Sequence, residues 1–527
     1  MPATPRHQEE LLDLAADYVH GTITAADGSR LEAMLHASPA ARREFVDYCM
    51  LHGQMALSTT AVGQGDAAAG TLHRPGSTLP RIGRAAAMLA GLALAAAFVV
   101  LVSNTPREEP SQSPVSDSYD NRQLPLVTVA NLQVDGETPT PLNPTTLRPD
   151  KATALRSASG ADVNVAEAAV FGVTTGDSGT LYHGSVQARL AKPDANFSVT
   201  TSNLRIVDKG TAFHVDRIDN DHVAVTVLDG EVEVQSRVRL PVCYWPFDDV
   251  DSARGSAQAF DAVGGLPATL GSAATPVAGI VGAGAVRFDN APSAVATIGG
   301  GAGEQVGTGL FAMAEGITIE AVVASAWSGR FKDYDEIFRK EDGDARMLLS
   351  FQNDGTTHED FSEPPVQAGP CLSLGLHLAG RGYHELDMPL DGVDGRPTLA
   401  EITDGKPHHV VATYDSYTGR KAIFIDGRKR FEHAYPVGTL VRCGGPAPAE
   451  IGNTRGTEPF TGMIDEFALY DFALTPDEVA THWQRVAAGQ NYFGSAPPAP
   501  GSPRWQAITR LVEGQAMTFN QETGLPR

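Results

Sequence analysis

The sequence predicts a mostly β protein in which a small three-helix head and one transmembrane helix precede two β domains. The chain has 527 residues and 42% hydrophobic content, which suffices for about three or four separate domains. Its 54 Gly and 35 Pro residues, against 7% aromatic residues, favour short strands and turns over long helices. One uninterrupted apolar run, residues 85–102, is the exception that predicts a long helix.

The charge of the chain excludes one class of partner. The formal net charge is −23 and the pI is near 5.0. Nucleic acid must be met by clustered Lys and Arg side chains, and the sequence contains no such cluster. We therefore expect no direct contact with nucleic acid.

The sequence of residues 1–58 predicts a cytosolic head of three short helices. Thr24 with Asp27 three residues later is typical of the start of the second helix, and Ser38 followed by Pro39 is typical of the start of the third. A unit of this size has a marginal core, so we expect either a docked partner protein or a self-sufficient mini-bundle. The candidate partner contacts are the apolar side chains on the helix faces, namely Leu11, Leu12, Tyr18, Leu31, Leu35, Phe45 and Tyr48.

Residues 85–102 are eighteen apolar residues without a charge. As a helix they would be about 27 Å long, close to the hydrocarbon core of about 30 Å. Arginines precede the run and acidic residues follow it, so we expect a single-pass inner-membrane protein with a cytosolic N-terminus and a periplasmic C-terminus. Residues 59–84 and 103–123 are predicted linkers. The alternative is a buried Ala-rich core helix.

The first periplasmic region is predicted to contain a β-hairpin. Asp229–Gly230 suits a two-residue type I′ turn. Counting from that turn places Val227 opposite Val232 and Val225 opposite Val234 on one apolar face. This pattern indicates a half-buried antiparallel sheet.

The second periplasmic region, residues 239–494, is predicted to be a sandwich of antiparallel sheets. Its short strand-like runs are separated by Gly, Pro and Asp residues, and Asp426–Gly427 is a second candidate hairpin turn. His408 and His409 lie on one of these strands, without a partner that would make either of them catalytic. Residues 495–527 form a tail to which the sequence assigns no role.

The first region resembles the FecR domain over residues 124–238. The resemblance rests on DKGTAFHV followed by VAVTVLDGEVEV, and the head is similar to the corresponding part of such regulators through ARREFVDYCMLHGQM. It implies a membrane regulator whose head restrains an extracytoplasmic-function sigma factor. The head lacks the His-x3-Cys-x2-Cys pattern of zinc-type anti-sigma factors, so this binding would be metal-free.

The second region resembles the LamG-like jellyroll of the concanavalin A type over most of residues 242–494. The motifs are YWPFDD, DGKPHHVVATYD with FIDGR, and IGNTRGTEPFTGMIDEFALYDFALTPDEV. The resemblance implies binding of a polysaccharide or protein ligand. Pentraxin-like relatives hold calcium with acidic loops, and the candidates here are Asp333, Asp335 and Glu336. The alternative is that these three are solvated loop charges. Beyond calcium we expect no cofactor.

Cys371 and Cys443 would lie in the oxidising periplasm, and each directly precedes a strand-like run. We expect them to form a disulfide, with buried thiols as the alternative.

The sequence carries no signature of an enzyme. It contains no ExDxxE-like run of carboxylates, and no GxSxG elbow or phosphate loop in a convincing context. We therefore expect a single-pass signalling regulator that senses an extracytoplasmic ligand. The alternative function is a carbohydrate- or protein-binding adhesive protein of the cell envelope without regulatory activity.

Overall fold

The structure is a computed structural model that divides into two compact units, residues 1–120 and 121–527. In the second unit it describes the strand Leu126–Thr128 and residues 144–527 apart from 158, 176, 191–196, 252–256 and 354–360. In the first unit it describes six residues, namely Leu14, Thr24, Asp27, Arg30, Leu31 and Met34.

The described residues of the first unit agree with the predicted second helix. Asp27, Arg30, Leu31 and Met34 are helical. The Asp27 amide donates to the Thr24 hydroxyl at 3.2 Å, which is the expected N-terminal cap. The other predicted partner contacts lie outside the described residues: Leu11, Leu12, Tyr18, Leu35, Phe45 and Tyr48.

No helix in the described part of the chain is long and apolar enough to cross a membrane. The predicted transmembrane segment, residues 85–102, lies outside that part.

The first β domain consists of two half-sheets that share one long strand, β6 (Ser178–Leu190), which bends at Gly184. Across the first half-sheet the order is β2 (Thr145–Leu147), β5 (Val170–Thr175), β6, β7 (Ser198–Thr201), β8 (Leu204–Asp208), β11 (Glu231–Arg237) and β29 (Trp505–Val512). Across the second the order is β1 (Leu126–Thr128), β3 (Thr153–Arg156), β4 (Ala161–Val165), β6, β9 (Ala212–Arg217), β10 (His222–Asp229) and β30 (Ala516–Asn520).

The predicted hairpin at Asp229–Gly230 is wrong. Strand β10 pairs with β9 and β30, whereas β11 pairs with β8 and β29. The chain passes at Gly230, which has a φ of 77°, from one half-sheet to the other. The predicted inward-facing valines are all buried in the core between the half-sheets, namely Val225, Val227, Val232 and Val234.

The C-terminal tail completes the first β domain. Strand β29 extends one half-sheet next to β11, and β30 extends the other next to β10. Between them, the Val227 amide donates to the Gln515 carbonyl and the Glu513 amide donates to the Gly230 carbonyl, both at 2.9 Å. Because the second β domain lies between β11 and β29 in the chain, it is an insertion into the first.

The inserted domain is a sandwich of two antiparallel sheets, as predicted. The eight-stranded sheet has the order β16 (Ala274–Ala278), β17 (Gly284–Asp289), β28 (Thr461–Tyr470), β19 (Gly316–Ser325), β24 (His408–Asp415), β25 (Arg420–Ile425) and β26 (Arg428–Ala434), with β12 (Cys243–Trp245) also paired to β28. The nine-stranded sheet has the order β13 (Val250–Asp251), β14 (Gln258–Phe260), β15 (Pro267–Leu270), β18 (Ala296–Ile298), β27 (Ala449–Ile451), β20 (Asp333–Asp342), β21 (Ala345–Asn353), β22 (Cys371–Leu378) and β23 (Gly382–Pro389).

The second predicted turn is confirmed. Ile425 pairs with Arg428 across Asp426–Gly427. The φ angles of the two turn residues are 52° and 73°, as a type I′ turn requires.

The remaining regular elements are the 3₁₀ turn Val393–Gly395 and the helices α1 (Leu399–Ile402) and α2 (Pro476–Ala487). Helix α2 begins with a capping box in which the Thr475 hydroxyl accepts from the Glu478 amide. Its apolar face, which carries Val479 and Val486, covers the outer face of the eight-stranded sheet and closes a second apolar layer there.

Candidate functional site

A buried polar cluster lies between α2 and the eight-stranded sheet. The Glu320 carboxylate on β19 is within 2.8 Å of His409 Nε2 on β24 and 2.9 Å of His482 Nδ1 on α2. It also accepts a hydrogen bond from the Tyr470 hydroxyl at 2.9 Å. Strand alternation explains the placement, since Ile319 and its alternate neighbours face the sandwich core while Glu320 faces the helix.

The electrostatics of this cluster favour an ion pair. Burial alone would raise the pKa of Glu320, but the His482 charge and the two imidazole hydrogen bonds overcome it and lower that pKa to about 2. Burial acts against the charged form of His482, yet the Glu320 carboxylate raises the pKa of His482 above its ordinary value. We therefore assign an anionic Glu320 and a cationic His482 below about pH 6.5. The sequence prediction had no partner for His409, and the structure supplies Glu320.

A cavity of about 380 Å³ opens beside the cluster, and Arg239, Tyr470, His482 and Tyr492 are among its lining residues. The Tyr492 and His482 rings stack with centroids 5.2 Å apart. Behind them, Tyr492 Oη and His409 Nδ1 are buried without a hydrogen-bond partner in the described part of the chain. Such groups could bind water or a small polar ligand.

A second polar cluster lies on the outer face of the nine-stranded sheet. Glu385 and Asp387 occupy alternate positions of β23 and thus share one face. Glu385 accepts from Tyr383 Oη at 2.6 Å and from Gln352 Nε2 at 2.8 Å. Asp387 accepts from the Ser362 hydroxyl. This pair does not match the longer ExDxxE pattern, although its Glu-x-Asp spacing on a strand is a readable signal in the sequence.

Asp387 is buried and Glu385 is half-buried. The segment around Ser362 pairs with β23, where the Glu363 amide donates to the Glu385 carbonyl and the Glu385 amide donates to the Phe361 carbonyl, both at 2.8 Å. Burial raises the pKa of Glu385, and the nearby Asp387 charge adds to that effect. In this arrangement the pair organises the edge of the sheet.

The calcium candidates are placed differently from solvated loop charges. Asp335 and Glu336 are buried, whereas Asp333 is half-buried. Asp335 accepts from the Thr461 amide at 2.7 Å, and Glu336 pairs with Arg339 at 2.7 Å. Among the described residues no group of three or more His, Cys, Asp or Glu side chains is arranged to hold a metal ion. Calcium binding here stays a prediction.

The buried Asp335 predicts a pH-dependent stability. Burial raises the pKa of Asp335 to about 7, even though the Thr461 hydrogen bond lowers it. The stability it contributes is therefore complete below its ordinary pKa of 3.8 and is lost as the pH rises through about 7. The Asn side chain of Asp335→Asn cannot ionise. Between pH 4 and 8, the urea unfolding free energy of this variant should therefore fall by on the order of 1–4 kcal/mol less than that of the parent protein.

The control for this pH experiment is Asp333→Asn, which changes the neighbouring half-buried carboxylate. We expect it to keep most of the pH slope of the parent protein, because burial, and only to a lesser degree the Asp333 charge, raises the pKa of Asp335. Calcium added at pH 7.5 would raise the unfolding free energy of the parent but not of Asp335→Asn if these residues bind the ion. Equal pH slopes for the parent and Asp335→Asn would contradict the assigned titration.

The predicted disulfide between Cys371 and Cys443 is absent. Cys371 begins β22, and Cys443 lies near the opposite end of that strand, since the Arg442 amide donates to the His377 carbonyl at 2.9 Å. The two ends of an eight-residue strand are roughly 23 Å apart, far beyond disulfide reach. Both are buried thiols, the alternative left open by the sequence.

Ion pairs and hydrogen bonds connect the two β domains at their junction. Arg237 at the end of β11 pairs with Asp471 at 3.1 Å, and its guanidinium lies 4.4 Å from the Trp505 ring centroid. Arg504 pairs with the other oxygen of Asp471, also at 3.1 Å. Elsewhere in the interface, the Tyr182 hydroxyl on β6 and the Ser416 hydroxyl of the sandwich form a hydrogen bond of 2.9 Å. These contacts join both ends of the insertion to adjacent strands.

The described part of residues 121–527 thus comprises two β domains, in which a β-sandwich is inserted into a smaller β domain. Residues 145–233 match the family model of the FecR protein. Residues 349–480 match that of the concanavalin A-like lectin/glucanases superfamily, Laminin_G_3. The chain therefore combines a FecR domain with a LamG-like domain, as the motifs predict.

Among individual proteins, human C-reactive protein is 28% identical over 137 residues, which is 24% of this chain and 57% of that protein. The chain thus spans less than two thirds of that relative's length. Domain 4 of the arabinanase AbnA from Geobacillus stearothermophilus, solved with arabinotriose, is 18% identical with a TM-score of 0.29. That similarity covers 46% of this chain and 97% of the arabinanase domain. A SAP-like pentraxin from Limulus polyphemus is 16% identical with a TM-score of 0.23, and the similarity covers 39% of this chain and 82% of the pentraxin chain.

Proposed function

We propose that this protein is a single-pass regulator of the inner membrane, in which the LamG-like domain binds a periplasmic ligand and the FecR domain relays that event. The relay acts on a cytosolic head that restrains an extracytoplasmic-function sigma factor. The FecR match and the LamG-like match support the two halves of this proposal. No catalysis by this chain is required.

The observation that carries the proposal is the insertion of one domain into the other. The ends of the LamG-like domain continue into β11 and β29, which are neighbouring strands with Arg237 opposite Trp505. A ligand that shifts the sandwich would therefore act on two adjacent strands of the FecR domain at once. A domain attached through one flexible linker would transmit much less of such a shift.

The insertion also permits a sharp test, because the LamG-like domain can be excised without removing a FecR strand. The Val238 amide donates to the Arg504 carbonyl at 2.8 Å, so a short Gly-Ser linker can replace residues 239–503. We expect the full chain and this excised chain both to co-purify with a sigma factor from the native membrane. Only the full chain should release that sigma factor in response to periplasmic ligand, as measured with a transcriptional reporter.

The control for the excision is a chain without residues 1–58, which should keep its periplasmic fold and lose the sigma factor. Failure of the full chain to co-purify with any sigma factor of the cell would reject the regulatory role. A ligand response that persists after excision would instead reject the LamG-like domain as the sensor.

The second candidate function is an envelope-binding protein without regulation. The LamG-like match and the cavity of about 380 Å³ beside His482 favour ligand binding in either case. Strong binding of the full chain to a glycan array, with unchanged transcription when the head is deleted, would favour this second function.

A further inference from the structure

A cleft of about 230 Å³ lies at the junction of the two β domains. One wall comes from the FecR domain and includes Thr200 and Arg205, while the other comes from the LamG-like domain and includes Glu315 and Arg442. Pockets for drug-sized ligands typically have about 300–1,000 Å³. The cleft is therefore suited to a molecule about the size of a single sugar or smaller.

Two arginines of this cleft lack an electrostatic partner. Arg205 lies on β8, where Leu204 and Ile206 face the domain core and direct Arg205 to the opposite side. Within the described residues, the guanidinium groups of Arg205 and Arg442 make no ion pair and no hydrogen bond. The Nε atom of Arg442 is buried and unpaired. Both arginines are half-buried, and an anion in the cleft would offset the positive charge that they hold there.

The acidic groups of the cleft are already engaged. Asp471 is shared by Arg237 and Arg504, each at 3.1 Å. Glu315 accepts from the Thr180 hydroxyl, and burial raises its pKa, which disfavours the charged form. Neither acid neutralises Arg205 or Arg442, so the cleft keeps an excess of positive charge.

The FecR wall of the cleft also carries hydroxyl groups. Thr174 and Thr200 both line it, and the Trp505 side chain closes one side. Hydroxyl groups beside an arginine pair match a ligand that carries both an oxyanion and several hydroxyl groups.

We infer that this cleft binds a monosaccharide-sized acid of the uronic acid class, whose carboxylate is held between Arg205 of the FecR domain and Arg442 of the LamG-like domain. A ligand in this position bridges the two domains and favours one relative arrangement of them. The binding is measured on the purified protein and does not depend on the regulatory role proposed above.

The test is a calorimetric titration of the full-length chain in detergent with glucuronate. Sulfate and phosphate serve as simple oxyanions and glucose as the neutral sugar. We expect saturable binding of glucuronate, weaker binding of the simple oxyanions and none of glucose. Arg205→Gln and Arg442→Gln should each weaken glucuronate binding about ten- to hundred-fold, as expected for a lost charged hydrogen bond.

The matched control is Arg428→Gln, which removes an exposed arginine on β26 outside the cleft and should leave the affinity unchanged. Rising NaCl should weaken glucuronate binding to the unaltered protein, a second reading that needs no variant. Absence of saturable glucuronate binding, or full affinity in both cleft variants, would overturn the inference. Sulfate or glucose binding as tight as glucuronate would overturn the uronic acid assignment.

Discussion

A chain that ends at Ser502 is expected to lose its folded FecR domain while it keeps the LamG-like sandwich. The deletion removes β29 and β30, which form the terminal strands of the two half-sheets. It takes Leu511 and Phe519 out of the shared core and leaves β10 and β11 as open edges. The loss should exceed the roughly 5–15 kcal/mol that stabilises an ordinary domain. Limited proteolysis should then cut within residues 144–238.

A point substitution gives a graded version of the same experiment. Phe519 is fully buried, whereas Val512 at the end of β29 is 46% exposed. Phe519→Ala should lower the urea unfolding free energy of the FecR domain by about 3–5 kcal/mol. Val512→Ala should change it by no more than about 0.5 kcal/mol. Equal effects of the two substitutions, or a truncated chain whose FecR domain resists protease, would show that β29 and β30 are dispensable.

Local patterns were sufficient to predict that the two described domains consist mostly of β-strands. Alternation of apolar and polar residues predicted the strands, and the turn chemistry of Asp426–Gly427 predicted its hairpin correctly. The same reasoning failed at Asp229–Gly230, because alternation determines which side chains face the core but not which strand is the neighbour. Val225 and Val232 are buried in either pairing, so the sequence signal was the same for both.

The partners that decided that pairing are distant in the chain. Strands β29 and β30 begin at Trp505 and Ala516, after the whole inserted domain. No local pattern distinguishes a tail from a strand that returns to an earlier sheet. The same limit applies to Cys371 and Cys443, since residues that each precede a strand can lie at opposite ends of one sheet.

The candidate sites show this limit most clearly. His409 and His482 converge on Glu320 from positions 89 and 162 residues away in the chain. His408 and His409 look equivalent in the sequence, yet strand alternation places only His409 against Glu320. The two arginines of the interdomain cleft come from different domains and share no local motif.

The largest effect of a single polar substitution is expected at Glu320. Glu320→Gln removes the carboxylate that pairs with His482 and accepts hydrogen bonds from His409 and Tyr470, and it leaves the imidazoles without a buried counter-charge. Breaking a buried ion pair from one side costs about 3–5 kcal/mol. Urea unfolding of the LamG-like domain at pH 6 should show a loss of this size.

The pH dependence of that loss distinguishes the ion pair from simple packing. The lowered pKa of Glu320 means that its contribution is present above its ordinary value of 4.5 and is lost as the pH falls towards about 2. The raised pKa of His482 means that its contribution is present below 6.5 and is lost as the pH rises through that raised value. The difference between the parent and Glu320→Gln should therefore be largest between about pH 4.5 and 6.5.

The matched control is Glu432→Gln on β26, where a partly exposed carboxylate pairs with Lys429 at 2.8 Å and Arg420 at 3.1 Å. Surface pairs of this kind contribute about 0–1 kcal/mol, so this variant should unfold almost as the parent does. A Glu320→Gln loss that stays constant from pH 3 to 9 would indicate that packing, and not the charge shared with His482, stabilises helix α2 on the sheet. A loss confined to the predicted pH window would show that the ion pair stabilises the packing of helix α2 on the sheet.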